Sequence, residues 1–370
     1  MNGFKLRVAA SVPLLLSLAC AGGAASAPRD GGITDGGAPD AGVVAAPATP
    51  ITAPPRAWTW VDDPGATCSD GSATGFAVNP GGPNLLVYLQ GGGACWDYLT
   101  CFVIKTATAG PYTSTQFNAS AALFPQSILD RAAAGNPFKD FSLVFVPYCT
   151  GDVHAGDNVV TYSGFGTAKT WHHTGRANLT RYLARIAATF TSPAKLFISG
   201  SSAGGFGSAI NYRLIRTVYP AAESYLLDDS GPFLIGDAVS TQLRTAWTAG
   251  WGLKPWIDSE CPACAADLSA LYPTIATRYQ NDRLALLSTN QDAVISAFFQ
   301  ISQSQFKTDL TALTTQRLTP LANARFFVID STSHVLLENP NAASFADGGT
   351  LMNWLTQMAT DDPAWSSSSP

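Results

Sequence analysis

The stretch Gly200-Ser201-Ser202-Ala203-Gly204 constrains the fold of this chain more than any other, because of what flanks it. Residues 195–199 (KLFIS) form a short apolar run of the kind that makes a buried strand, and residues 205–215 (GFGSAINYRLI) read as a helix. A strand, a sharp turn and a helix are the surroundings in which G-x-S-x-G acquires meaning. The small residues let strand and helix approach around a strained serine whose hydroxyl is lifted out of the sheet edge. A Gly/Ser-rich turn that merely needs small residues is the structural alternative. With both flanks in place, the reading adopted is a nucleophile elbow centred on Ser202.

A nucleophilic serine needs a base within hydrogen-bond reach and a carboxylate that holds the base in the right tautomer. When an elbow of this type carries a triad, the chain order is serine, acid, histidine. The chain has four histidines, His154, His172, His173 and His334, and only His334 follows Ser202. It sits on a loop, 331–334 (STSH), directly after the strand-like run 325–330 (RFFVID). For the acid, 284–288 (LALLS) predicts a penultimate strand and 293–299 a helix, with Asp292 between them. Asp292 is the acid expected, against the competitors Asp228, Asp229 and Asp330. Its structural alternative is a helix N-cap, a common role for aspartate. The run 84–90 (NLLVYLQ) predicts a strand that stops in Gly91-Gly92-Gly93. Such a loop supplies one half of an oxyanion hole, and the N–H of Ala203, next to the nucleophile, supplies the other.

Five segments resemble the pectin acetylesterase family, to which the animal carboxylesterase Notum belongs. They are 85–95 (LLVYLQGGGAC), 146–157 (VPYCTGDVHAGD), 200–205 (GSSAGG), 227–233 (LDDSGPF) and 331–339 (STSHVLLEN), in family order over most of the globular part. The resemblance implies an α/β-hydrolase-type fold with Ser202, Asp292 and His334 as triad and Gly92, Gly93 and Ala203 as oxyanion donors. It also implies disulfides Cys95–Cys101 and Cys68–Cys149, and deacetylation of a polysaccharide. One departure falls at the glycine loop, where the family usually has an aromatic before the cysteine and this chain has Ala94, then Cys95-Trp96.

Of seven cysteines, setting Cys20 aside leaves an even number. Cys261-Pro262-Ala263-Cys264 lacks both a second ligand pair for zinc and a redox βαβ context, so it reads as a structural loop staple. Lys5 and Arg7 precede an apolar run too short to span a bilayer, the layout of a signal peptide over 1–19. Leu16-Ser17-Leu18-Ala19-Cys20 has the form of a lipobox with Cys20 as the lipidated residue; cleavage after Ala27 is the alternative. Either way the chain is expected outside the cytoplasm, in a bacterial envelope or secreted, where disulfides persist.

Residues 20–56 are Ala, Gly, Pro, Asp and Thr with few bulky side chains, an expected disordered tether. Residues 57–370 suffice for one α/β catalytic domain. Strand candidates alternating with amphipathic helices, such as 177–186 with Leu179, Leu183 and Ile186 on one face, predict a mostly parallel sheet covered on both sides. Residues 236–280, with Trp247, Trp251 and Trp256, are expected to form a cap, the tryptophans serving as core more than as a ligand platform. His172-His173 is expected to cap or pack, not to bind metal. A net charge of −5 argues against nucleic acid, and no phosphate loop, dinucleotide fingerprint or metal-ligand cluster calls for a cofactor. The expectation is a monomeric serine carboxylesterase for acylated carbohydrate or another ester, touching membrane only through a lipid at Cys20. A lipase or polyester hydrolase, a non-catalytic glycan-binding lipoprotein and a peptide hydrolase are the rivals.

Overall fold

The computed structural model describes residues 48–344 and 348–370. The expected signal peptide, Cys20 and most of the tether lie outside the described residues. Among the described residues there are ten strands: β1 (Thr59–Thr67), β2 (Ala73–Asn79), β3 (Leu85–Leu89), β4 (Ser142–Val146), β5 (Asn158–Gly164), β6 (Thr167–His173), β7 (Lys195–Ser201), β8 (Glu223–Asp229), β9 (Arg283–Thr289) and β10 (Ala324–Ile329). Eight form one sheet in the order β1-β2-β4-β3-β7-β8-β9-β10. From β4 to β10 every pair is parallel; β1 and β2 add an antiparallel edge.

The central strands read as unbroken apolar runs because both faces are covered. Leu196 and Ile198 of β7, Leu226 of β8 and Leu284 and Leu286 of β9 enter one apolar cluster. Their neighbours Phe197, Tyr225, Leu227, Ala285 and Leu287 enter the cluster on the other face. Phe197 and Tyr225, register partners across β7 and β8, stack with centroids 4.2 Å apart. Each such side chain contributes roughly 1.5–3 kcal/mol by burial, which is what fixes the strand register.

One local expectation needs correcting. The helix after the elbow is not continuous over 205–215: it runs Ala203–Ile210, breaks at Asn211 and resumes as Tyr212–Arg216. Asn211 is fully buried, its amide N–H groups donating to the carbonyls of His154 and Gly207 and its Oδ1 accepting from Arg176, so tertiary bonds set the break. Of the capping and packing expected of His172-His173, it is packing that the structure shows: the two end β6, which pairs with β5 in a separate hairpin, and His173 is buried against Trp171 and Trp251.

All six cysteines of the described residues are paired, as Cys68–Cys149, Cys95–Cys101 and Cys261–Cys264. The segment between β8 and β9 is helical, with helices Thr241–Trp251, Lys254–Glu260 and Leu271–Arg278. The half-buried Arg176–Glu260 ion pair, 2.6 Å, ties it to the helix before β7.

Candidate active site

Parallel strands deliver their following loops to one edge of a sheet, and here that edge collects the residues expected as nucleophile, base, acid and oxyanion donors. β3 leads into Gly91–Gly93, β7 into Ser202, β9 into Asp292 and β10 into the loop that carries His334. Ser202 has φ 59° and ψ −121°, a conformation costly for a residue with a side chain. It is held there by its N–H, which donates to the carbonyl of Asp229 at 2.7 Å. The turn also demands Gly204, since a Cβ there would lie 1.9 Å from the carbonyl oxygen of Leu89.

His334 Nδ1 lies 2.7 Å from Asp292 Oδ2, and the carboxylate is fully buried. Nδ1 facing a carboxylate carries the proton, which leaves Nε2 as the lone-pair nitrogen. That Nε2 is buried and has no hydrogen-bond partner among the described residues. Asp292 is also the N-cap of the helix Ala293–Phe299, its Oδ1 accepting from the N–H groups of Val294 and Ile295 at 2.9 Å each. One carboxylate thus makes both kinds of contact weighed from the sequence, Oδ1 to the helix N-terminus and Oδ2 to His334.

The competing acids have other partners. Asp330 is exposed and accepts from Asn290, which lowers its pKa. Asp228 is buried, accepting from the N–H of Gly231 and from the hydroxyl of Tyr272; burial pushes its pKa well up. Asp229 is the residue whose role sequence reasoning missed. Its carboxylate accepts from Ser201 Oγ at 2.6 Å and from the N–H groups of Leu336 and Leu337 at 3.0 Å, and burial raises its pKa. It therefore ties the elbow to the backbone just past His334. The pair of aspartates in 227–233 was the only signal, and it named no partner.

Ala203 opens its helix, so its N–H has no partner one turn back and is available to a ligand. Beside Ser202 and Ala203 lies a cavity of about 60 Å³ whose lining is almost wholly apolar. Its walls include Ala94 from the glycine loop, Phe206 and Phe299, and Trp247, Trp251 and Trp256 from the segment between β8 and β9. These tryptophans are buried and line the cavity as well, so core and wall are the same residues. Trp251 Nε1 donates to the carbonyl of Cys95, and Trp96 packs edge-on against Trp247 at 5.8 Å. Where the aromatic before the cysteine is missing, Ala94 contributes open space and Trp96 backs the wall.

Cys95, Cys101 and His173 are the one close group of metal-ligand residue types among the described residues. Both sulfurs are in a disulfide, and the His173 nitrogens face the Thr150 carbonyl and the Tyr162 hydroxyl, so none is a ligand.

The pectinacetylesterase family model matches residues 55–347. The palmitoleoyl-protein carboxylesterase notum1 of Xenopus laevis is 29% identical over 185 residues, 45% of this chain and 35% of that protein. Pectin acetylesterase 11 of Arabidopsis thaliana is 28% identical over 187 residues, 48% of this chain and 45% of its own length. The matches thus span between about a third and a half of the curated relatives. Among solved structures, the Wnt deacylase Notum of Drosophila superposes with a TM-score of 0.58 at 19% identity, covering 83% of this chain and 94% of that one. That likeness is one of fold, the α/β-hydrolase fold.

Proposed function

Because this chain belongs to the pectinacetylesterase family, we propose that it is a carboxylic ester hydrolase using Ser202, His334 and Asp292 as its triad. The observation that carries the proposal is the 2.7 Å contact of His334 Nδ1 with Asp292, which leaves a buried, unpartnered Nε2 on a loop at the sheet edge that also carries the elbow. Nε2 takes the proton of Ser202 as Oγ attacks the ester carbonyl, and Asp292 stabilises the imidazolium. The N–H groups of Gly92, Gly93 and Ala203 receive the developing oxyanion. His334 then protonates the departing alkoxide, and it deprotonates the water that clears the acyl-enzyme. Three disulfides accord with function outside the cytoplasm, where exported polymers bearing ester groups are found. A lipid at Cys20 belongs to the same reading.

Removal of acetyl from polysaccharide is the use that kinship favours. The cavity favours a second reading, a somewhat longer acyl group. With a volume of about 60 Å³ and an almost wholly apolar lining, the cavity suits a short acyl chain such as butyryl or hexanoyl. Each buried methylene is worth about 0.8 kcal/mol, or roughly fourfold. On p-nitrophenyl esters, kcat/KM is expected to rise about fifteenfold from acetate to butyrate, to rise further to hexanoate, and to fall by octanoate. A series that is highest on acetate removes the longer-acyl reading and leaves the deacetylase. No hydrolysis of any ester removes both and favours a binding protein.

A further inference from the structure

The carbonyls of the glycine loop are tied back, one after another, by residues outside the mechanism above. The Gln90 carbonyl faces His154 Nε2 at 2.8 Å, and the Gly93 carbonyl accepts from the hydroxyl of Tyr148 at 2.8 Å. On the other side of the loop, the Gly92 carbonyl accepts from the N–H of Thr108 at 2.7 Å and the Ala94 carbonyl from Thr106 Oγ1 at 2.6 Å. In a trans peptide the C=O and the next N–H point in opposite directions, so holding the carbonyl aims the N–H. Gly93 is thereby pinned through both of its peptide planes at φ 77°, and the Gly91–Gly92 plane lies between two fixed ones. Glycines have no Cβ to resist a peptide flip, so without such ties this loop is free to turn a carbonyl towards the oxyanion.

The two side chains are built into place at some cost. Val153 and His154 both have left-handed backbone, φ 50° and 59°, which is unusual for any side chain and most of all for a β-branched one. Asp152, fully buried, secures that turn by accepting from Thr150 Oγ1, from the N–H of His154 and from the N–H of Gly175. Tyr148 is fully buried, accepts from the N–H of Val153 at 2.9 Å and spends its proton on Gly93. Burial lowers the pKa of His154 to about 4, so its ring is neutral above that pH; facing a carbonyl, Nε2 must carry the hydrogen.

We propose that Tyr148 and His154 are positioning residues that hold the two peptide planes flanking those of the Gly92 and Gly93 N–H groups, with Thr108 holding the Gly92 carbonyl between them, so that the loop presents N–H groups, and no carbonyl, to the oxyanion. This rests on the esterase reading above. Losing a whole oxyanion donor costs about 10²–10³ in kcat; misaiming one costs part of that. Tyr148→Phe, which deletes only the hydroxyl, is expected to lower kcat on p-nitrophenyl butyrate about 10–100-fold with KM within about twofold. The affinity for butylboronic acid, whose tetrahedral Ser202 adduct places an oxygen in the hole, should fall by the same factor. A purely structural role would not weaken the boronate selectively. His154→Gln keeps an N–H near the Gln90 carbonyl and should retain most activity, whereas His154→Leu should lose it as Tyr148→Phe does. The histidine pair decides the matter if Tyr148→Phe does not fold. The proposal is overturned by a kcat within threefold of wild type, by a loss carried in KM, by unchanged boronate affinity, or by Gln and Leu variants of equal activity. Ser202→Ala assayed alongside separates the two levels: if it stays active, the esterase reading itself has failed.

Discussion

Ser202→Ala is expected to lower kcat on p-nitrophenyl butyrate by about a millionfold, and Asp292→Asn by about ten-thousandfold, with both proteins folded. The second variant is the more informative, because Asp292 divides its two oxygens between two tasks. Oδ1 caps the helix Ala293–Phe299 and Oδ2 holds His334. An asparagine can keep an oxygen on the Val294 and Ile295 N–H groups, but its amide cannot accept from Nδ1 and so imposes the wrong tautomer. Asp292→Ala loses the cap as well and should cost about 1–2 kcal/mol of stability beyond the catalytic loss. Thermal melts with kcat on the three variants check this. If Asp292→Asn retains more than about a tenth of the activity, Asp292 is a cap and not the acid, and Asp229 becomes the residue to test.

Acid should unfold this protein through its buried histidines. Burial lowers the pKa of His173 to about 3 and that of His154 to about 4, against about 6.5 in an unfolded chain. A base whose folded pKa is depressed contributes its full stability above the unfolded value and loses it as pH falls through 6.5 towards the folded value. By pH 4 the two together cost on the order of 5 kcal/mol, comparable to the whole stability of many domains. Asp152, Asp228 and Asp229 act in the opposite sense, since burial raises their pKa values and protonation relieves them. A variant isolates the histidine term. His173→Asn keeps a donor for the Thr150 carbonyl and should lose about 3 kcal/mol less than wild type between pH 7 and pH 4 in denaturant titrations. Equal losses in the two proteins would refute the assignment.

Much of this was legible in the chain because local chemistry and chain order suffice for it. β7, β9 and β10 fall where 195–199, 284–288 and 325–330 predict them, each being an apolar run ended by small or polar residues. His334, the base proposed, was singled out by the order of a triad, as no other histidine follows Ser202. The cysteine pairings followed kinship, since spacing alone leaves several connectivities open.

What the linear chain did not reveal are bonds between residues far apart in it. Asp229 meets the Leu336 and Leu337 N–H groups across more than a hundred residues, and Tyr148 reaches Gly93 across 55. Asn211 stops a helix that its own neighbours would continue, because His154 and Arg176 claim its amide. The sequence by itself determined the strands that lead into the glycine loop, Ser202, Asp292 and the His334 loop, and that a single histidine follows Ser202, since these depend on periodicity, turn chemistry and order. Only the tertiary structure decided which carboxylate faces that histidine and which groups tie back the glycine loop. Buried polar atoms must find partners, and the partners on offer depend on which strands the sheet lays side by side.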